Sequence, residues 1–250
     1  MSELDTLLTR IDALKIRLDA ARPLTSAQLQ QALDIEYTFE SNRIEGNTLT
    51  LRETDLVVNK GLTIGGKPLR EHLEAINHYE AILHIRELAD QGAALDEREV
   101  RNLHALVLRG IDRDNAGRYR NLPVMIAGSR HLPPQPWAVP KLMEDYGFWL
   151  TDQSLLLHPV VRAAEAHERL VTIHPFIDGN GRTARLVMNL ILLANGYAIA
   201  NIPGDTDSRR AYYDALERAN LEGDKTDFIT LIARHVHHAI QTLLERLGAA

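Results

Sequence analysis

The residues best suited to chemistry lie in one short stretch, residues 173–185, which reads Ile-His-Pro-Phe-Ile-Asp-Gly-Asn-Gly-Arg-Thr-Ala-Arg. It contains an imidazole, a carboxylate, two guanidinium groups and two glycines, a mixture that a packed core does not require. Apolar runs with helical spacing flank it, so we expect a loop that leads into the first turn of a buried helix. Such a helix start is suited to binding a phosphate, because free backbone amides and the positive end of the helix dipole face the anion.

The phosphate interpretation depends on the residues around the predicted helix start. Gly179, Asn180 and Gly181 precede it, and glycine lets the backbone approach a ligand closely, although the same triplet is common in ordinary turns. Arg182 and Arg185 strengthen the interpretation, because a buried arginine needs a partner and its planar guanidinium matches phosphate oxygens. Two arginines indicate more than one phosphate.

Asp178 and His174 add a candidate metal ligand and a candidate base to the same loop. A lone carboxylate beside phosphates commonly holds Mg²⁺, while capping of the following helix is an equally good interpretation of Asp178. An imidazole with a pKa of about 6.5 can take a proton from a hydroxyl at neutral pH, although a lone histidine is more often structural. Together these groups indicate attack by a hydroxyl on phosphorus, aided by a base, a metal and cations.

The composition of the 250-residue chain is typical of a globular domain. It is 45% hydrophobic and 25% charged, with a net charge of −6 from 28 basic and 34 acidic residues. Because neither sign is gathered into blocks, we expect no binding to nucleic acid or to a membrane surface. The lack of cysteine, of a secretory signal and of an apolar run of roughly 20 residues predicts a cytoplasmic protein.

The elements that position the loop are predicted to be helices. Apolar residues recur at helical spacing through most of the chain, and Ser26, Thr50 and Asp96 are candidate N-terminal caps. Residues 181–194 are apolar at nearly every position, which predicts a helix in the middle of the domain. The polar exceptions in its N-terminal half share one stripe, because they are spaced three and four apart: Arg182, Arg185 and Asn189.

Residues 110–140 break the helical pattern with glycine, proline, asparagine and aspartate. Within them, two apolar stretches around Gly128-Ser129 predict a short β-hairpin at about residues 123–134. Two strands alone are marginally stable, so this hairpin must lie on the helices with a free edge that can accept an extended peptide. The predicted fold class is therefore all-α with one β-hairpin.

Glu45 has an unusual position, at the predicted C-terminal end of the second helix and just before Gly46. A carboxylate there meets the negative end of the helix dipole, which costs about 0.3 to 1 kcal/mol when it is exposed. Two interpretations follow. Either Glu45 is a tolerated surface residue, or a cation elsewhere in the fold receives it.

Residues 174–185 resemble the signature of the Fic-domain family, H-x-F-x-[DE]-G-N-G-R-x-x-R, at every specified position. Residues 41–46 resemble the family's inhibitory motif, [ST]-x-x-x-E-[GN], through Ser41, Glu45 and Gly46. The resemblance implies a Fic-type helical bundle around a buried central helix, with the hairpin as a flap. It also implies an N-terminal helical region at residues 1–62 that carries the inhibitory helix, followed by the Fic core and C-terminal helices at residues 63–250.

By this resemblance the chain is a protein adenylyltransferase, which transfers AMP from ATP to a Tyr, Ser or Thr hydroxyl of a target protein. His174 would be the base and Asp178 would hold Mg²⁺. The amides and the asparagine of residues 179–181 would bind phosphates, and Arg182 and Arg185 would orient the β- and γ-phosphates. The hairpin would hold the target segment as an added strand.

The resemblance also implies regulation. The family's inhibitory glutamate pairs with the second arginine of the signature and blocks the productive position of the γ-phosphate. Here that pair would be Glu45 with Arg185. Arg185 would then be the cation that receives the Glu45 carboxylate at the end of the second helix. In some relatives the same glutamate also positions water for removal of AMP, so a dual activity is expected as well. Family analogy further suggests a homodimer.

Two other functions stay open at this point. One is a Fic enzyme that transfers a different group, such as UMP or phosphate; family members that phosphorylate depart from the glycine pattern, which is intact here. The other is a catalytically silent nucleotide-binding module with a regulatory role. The complete set of signature residues disfavours this module.

Overall fold

The computed structural model describes residues 2–249. The regular secondary structure in that range is entirely helical, with no strand. This confirms the predicted all-α class. Ten α-helices occur within it: α1 (Glu3–Ala21), α2 (Ala27–Ile44), α3 (Leu51–Lys60), α4 (Leu69–Gln91), α5 (Glu97–Val107), α6 (Val139–Thr151), α7 (Pro159–Ile173), α8 (Asn180–Ala194), α9 (Thr206–Glu222) and α10 (Thr226–Arg246). None of these helices is both long and apolar enough to span a bilayer.

Several helices begin where the sequence provides a cap. The side chains of Ser26 and Asp96 accept hydrogen bonds from the third residue of α2 and of α5, respectively. Thr50 and Glu53 form a reciprocal capping box at the start of α3. These side chains satisfy amide groups that have no partner inside the helix, so each helix starts at a defined residue.

Helix α8 runs through the interior of the molecule. Every residue from Arg182 to Leu192 is buried, and the helix packs against α7, α4, α5 and α2. Near its middle, Asn189 bonds the backbone of Ala200 through both ends of its amide. Because this helix brings two arginines into the interior, their charges must find partners at its N-terminal end.

One apolar core contains residues from both predicted regions of the chain, 1–62 and 63–250. It includes Ile11 and Leu18 of α1 together with Leu170 of α7 and Val236 of α10, and α1 packs along α10. The proposed division at residue 62 stays a prediction, since helices from both sides of it contribute to this core. Helix α2 is held in the same body, which fixes the residues at its C-terminal end relative to α8.

The predicted β-hairpin does not form. Residues 121–135, which we call the flap segment, are extended around a turn in which the Ser129 amide donates to the Ile126 carbonyl, at 3.1 Å. Three prolines interrupt any ladder, because Pro123, Pro133 and Pro134 have no N–H to donate. The two apolar stretches around Gly128-Ser129 predicted strands here, but the backbone groups are satisfied in another way.

Side-chain contacts take the place of a strand ladder. The buried guanidinium of the loop residue Arg120 donates to the carbonyls of Leu122 and Pro134, at 3.2 and 2.6 Å. His131 Nε2 lies 2.9 Å from the Thr172 carbonyl at the end of α7. The flap segment is therefore bonded to Arg120 near both of its ends and to α7 through His131.

Arg120 also bonds the loop that precedes α8. Its Nε donates to the His174 carbonyl at 2.7 Å, and its amide donates to the Pro175 carbonyl at 2.9 Å. We expect Arg120→Ala to lower the free energy of unfolding by about 1–3 kcal/mol, because buried carbonyls lose a charged donor. Urea unfolding measures this change.

The matched control is Arg118→Ala, two residues earlier and on the surface. It should change the free energy of unfolding by no more than about 0.5 kcal/mol. Equal effects of the two substitutions would contradict the role given to Arg120.

Candidate active site

The loop between α7 and α8 has an unusual backbone. His174 ends α7 in the left-handed conformation, with φ 49° and ψ 57°, and is the one non-glycine residue with positive φ among residues 2–249. This conformation costs of order 1 kcal/mol for a residue with a side chain and persists where its surroundings enforce it. The strain lies on the residue that the sequence marked as a candidate base.

The environment of His174 keeps its imidazole neutral. Nδ1 lies 3.3 Å from the Val171 carbonyl, which favours the Nδ1–H tautomer and leaves Nε2 as the acceptor. Burial lowers the pKa of His174 to about 4, although the bond to Val171 acts in the opposite direction. At neutral pH the residue can therefore accept a proton.

A second histidine, which the sequence analysis did not identify, supports the loop. His104 of α5 is buried and stacks on Phe176, with 3.6 Å between ring centroids. Its Nδ1 accepts from the Gly117 amide and its Nε2 donates to the Asp178 carbonyl, both at 2.9 Å. Burial lowers the pKa of His104 to about 4, so the ring stays neutral. Its place on the apolar face of α5, beside Leu103, was the available signal.

Asn180 closes the loop with its side chain. Its Oδ1 accepts from the Phe176 amide and its Nδ2 donates to the Phe176 carbonyl, both at 2.9 Å. The side chain therefore fixes the loop through both ends of its amide. The backbone amide of Asn180 and the second hydrogen of its Nδ2 are the donors that these two bonds do not use.

The first turn of α8 presents free backbone donors. Its first intrahelical bond runs from the Thr183 amide to the Gly179 carbonyl, at 3.0 Å, so the amides of Asn180, Gly181 and Arg182 precede it. A methyl group at Gly181 would overlap Glu45 Oε1. The carboxylate of Glu45 thus lies directly against this turn, and a side chain at residue 181 would have to displace it.

Arg185 and Glu45 form an ion pair. Arg185 is 1% exposed, and its Nη2 donates to Glu45 Oε1 at 2.7 Å and to the Ser41 carbonyl at 2.9 Å. Its Nε donates to Ser41 Oγ at 3.0 Å. Burial disfavours the charge on Arg185, but Glu45 outweighs burial and raises the pKa of the guanidinium. Ser41 lies in the last turn of α2, and Glu45 is the residue that follows this helix.

On its other side Arg185 meets a neutral group. Its Nη1 lies 3.4 Å from the Tyr212 hydroxyl, which lies 2.9 Å from Nε2 of the buried His167. Burial holds the pKa of His167 well below its ordinary value, so this histidine is uncharged. Among the described residues, Glu45 is therefore the only acidic partner of Arg185.

Arg182 occupies an acidic corner of the site. It is 2% exposed, with Nη1 3.2 Å from Glu74 Oε1 and Nη2 3.4 Å from both carboxylate oxygens of Asp178. Its Nε is buried and has no hydrogen-bond partner in the described part of the chain. A buried donor of this kind requires a further partner, which an ordered water or an anion can supply.

Asp178 is suited to holding a divalent cation. Burial opposes its charge, but Arg182, the Gly179 amide and Arg70 together hold the pKa of its carboxyl below the ordinary value. Within residues 2–249 no cluster of three His, Cys, Asp or Glu residues could hold a metal alone. One exposed carboxylate beside an anion site fits Mg²⁺, which binds through one or two carboxylates together with phosphate oxygens.

The buried, neutral His104 generates a pH prediction. Unfolding restores its ordinary pKa of 6.5, so the unfolded chain binds a proton that the folded chain, with a pKa of about 4, does not. Stability is therefore lost as pH falls from 6.5 towards 4. We expect His104→Gln, whose amide can replace both hydrogen bonds, to reduce this loss by up to about 1.4 kcal/mol per pH unit.

Urea unfolding at several pH values measures the slope. The control His238→Gln removes an imidazole at an exposed position of α10. An identical slope in wild type and His104→Gln would contradict the assignment.

Comparison with known proteins places this geometry in a family. The Fic/DOC family matches residues 94–192. Protein adenylyltransferase fic-1 from Caenorhabditis elegans is 38% identical over 208 residues, which cover 82% of this chain and 40% of that protein. The chain thus spans less than half the length of such curated relatives.

Solved structures of Fic proteins match nearly the whole chain. A fragment of Fic-1 from C. elegans matches with a TM-score of 0.84 and 31% identity, and covers 98% of this chain and 73% of that chain. A Fic-domain-containing signaling protein from Bacteroides thetaiotaomicron matches with a TM-score of 0.82 and 28% identity, over 96% of each chain. On this evidence the chain belongs to the Fic/DOC family.

Proposed function

We propose that the chain is a protein adenylyltransferase that transfers AMP from ATP to a hydroxyl side chain of a target protein, and that Glu45 inhibits it. The observation that carries the proposal is the first turn of α8. Free amides and two buried arginines lie there beside a neutral histidine. The curated relatives named protein adenylyltransferase support the choice of reaction.

The phosphates of ATP would lie against the start of α8. The amides of residues 180–182 and the helix dipole favour an anion, and within residues 2–249 Arg182 Nε is a buried donor without a hydrogen-bond partner. Arg185 lies one turn further along the helix and would contact the γ-phosphate. Mg²⁺, held by Asp178, would neutralise part of the phosphate charge.

His174 would act as the base. Its Nε2 takes the proton of the target hydroxyl while that oxygen bonds to the α-phosphorus, and the bond from this phosphorus to the oxygen of the leaving pyrophosphate breaks. The charge that develops on pyrophosphate is stabilised by Arg182 and Arg185. The negative phosphates would also raise the basicity of His174 above its value in the free protein.

Inhibition would result from competition for Arg185. The Glu45 carboxylate lies against Gly181 and 2.7 Å from Arg185 Nη2, where a γ-phosphate oxygen would otherwise bind. Two anions cannot share that position without strong repulsion. The same enzyme would also remove AMP from the modified target, and Glu45 would orient the attacking water in that reaction.

The flap segment would hold the target. Met125 and Leu132 are 86% and 77% exposed, and the extended backbone between them makes no strand ladder. An extended target peptide could pair with this backbone while its side chains contact the exposed apolar residues. Arg120 ties the segment to the loop that carries His174, so the target hydroxyl would be placed near the base.

Replacement of Glu45 tests the proposal. We expect Glu45→Gly to increase protein labelling by α-labelled ATP with Mg²⁺ about tenfold or more, since loss of a competitor worth 1.4 kcal/mol gives that factor. Adding His174→Ala should abolish the labelling. Glu36→Gln, also on α2 but paired with Arg246, is the matched control and should leave labelling unchanged.

The choice of label separates the other functions. Labelling from γ-labelled but not α-labelled ATP would indicate phosphate transfer. Labelling from α-labelled UTP in preference to ATP would indicate UMP transfer. Nucleotide binding in a calorimeter without any labelling, even in the Glu45→Gly variant, would indicate a regulatory module and overturn the proposal.

A further inference from the structure

Arg70 lies outside both sequence motifs and contacts the candidate metal ligand. It belongs to the first turn of α4, 108 positions before Asp178 in the chain. Its Nη2 donates to Asp178 Oδ2, and its Nε donates to Glu74 Oε1 at 3.2 Å. The side chain is 57% exposed, which places it at the solvent side of the site.

The two oxygens of Asp178 have different partners. Oδ1 accepts from the Gly179 amide at 2.6 Å, so the local loop holds it. Oδ2 bonds Arg70, while Arg182 lies 3.4 Å from both oxygens. Arg70 therefore covers the carboxylate oxygen that the loop leaves free for a cation.

On each side of the site, a side chain of opposite charge occupies the position that a ligand would take. On the basic side, the Glu45 carboxylate lies where a phosphate would bind. On the acidic side, the Arg70 guanidinium lies on Asp178, where a divalent cation would bind. Two side chains thus replace the two charges of a metal–nucleotide complex.

We propose that Arg70 is a positioning residue that competes with the divalent cation for Asp178 and so sets how strongly nucleotide binding depends on metal. This inference rests on the proposed function, because it takes Asp178 as the metal ligand. Arg70 yields Asp178 Oδ2 when cation and nucleotide bind together. It retains a partner after that exchange, since its Nε stays bonded to Glu74.

The strength of the contact suits an exchangeable partner. Arg70 is largely exposed, and exposed ion pairs contribute about 0.2–1 kcal/mol. Arg182, at 2% exposure, cannot leave in this way. Competition by Arg70 therefore weakens the cation's contribution by up to about fivefold, which corresponds to the upper end of this range of ion-pair energies.

Calorimetric binding of ADP, with saturating Mg²⁺ and with a chelator, tests the inference without any turnover. The measured quantity is the ratio of the Kd without metal to the Kd with metal. Because Mg²⁺ binds free ADP equally in every experiment, a change in the ratio reports on the protein. We expect Arg70→Gln to raise the ratio by up to about fivefold, and Arg70→Lys to raise it less.

Two further variants make the test specific. In an Asp178→Asn background, Arg70→Gln should leave the ratio unchanged, which a purely structural role of Arg70 would not produce. Arg109→Gln is the matched control. Arg109 is a half-exposed arginine, and it pairs with Glu80 of α4, the helix that carries Arg70. It should leave the ratio at the wild-type value.

Three outcomes would overturn the inference. An unchanged or lower ratio in Arg70→Gln would leave the proposed function intact and remove the competition. Weaker ADP binding by the same factor with and without metal would show that Arg70 binds phosphate directly. Absence of ADP binding in wild type and in Glu45→Gly would overturn the proposed function and, with it, this inference.

Discussion

The ion pair between Arg185 and Glu45 is the contact on which the rest of the site depends. Arg185 is 1% exposed on a helix buried along its length, and an anionic partner within the fold stabilises its charge. Glu45 supplies that partner from the end of α2, so the packing of α2 against α8 places the carboxylate. In the proposed function folding and inhibition would use the same contact, and loss of Glu45 would leave a buried cation that a phosphate can satisfy.

In the proposed function the site would work by exchange of charges. Tyr212 and His167 behind Arg185 are neutral, so among the described residues Glu45 is the one anion that a phosphate would replace at Arg185. Asp178 lies under Arg70 in the same manner. Binding of a metal–nucleotide complex would restore both ion pairs with new partners, which keeps the number of buried unpaired charges low throughout.

Much of this arrangement was readable from the sequence, and the remainder depended on distant contacts. The caps and the apolar run of α8 predicted the helices. The helix dipole at Glu45 left a surface residue and a cationic partner as alternatives, and the family resemblance then named Arg185. The contact of Arg70 with Asp178 joins residues 108 positions apart and has no local signal. The flap segment was predicted as strands from its local apolar stretches, whereas its backbone is bonded by the side chains of Arg120 and Glu217.

The groups that shape the loop differ in kind from those that would exchange. His104 and Asn180 hold the loop through neutral hydrogen bonds, and Arg120 holds it through backbone carbonyls. None of these contacts needs to break when an anion arrives. The left-handed backbone at His174 is therefore held by contacts outside the two ion pairs. Because that backbone places the imidazole, the proposed base would stay positioned while the charged partners of Arg185 and Asp178 change.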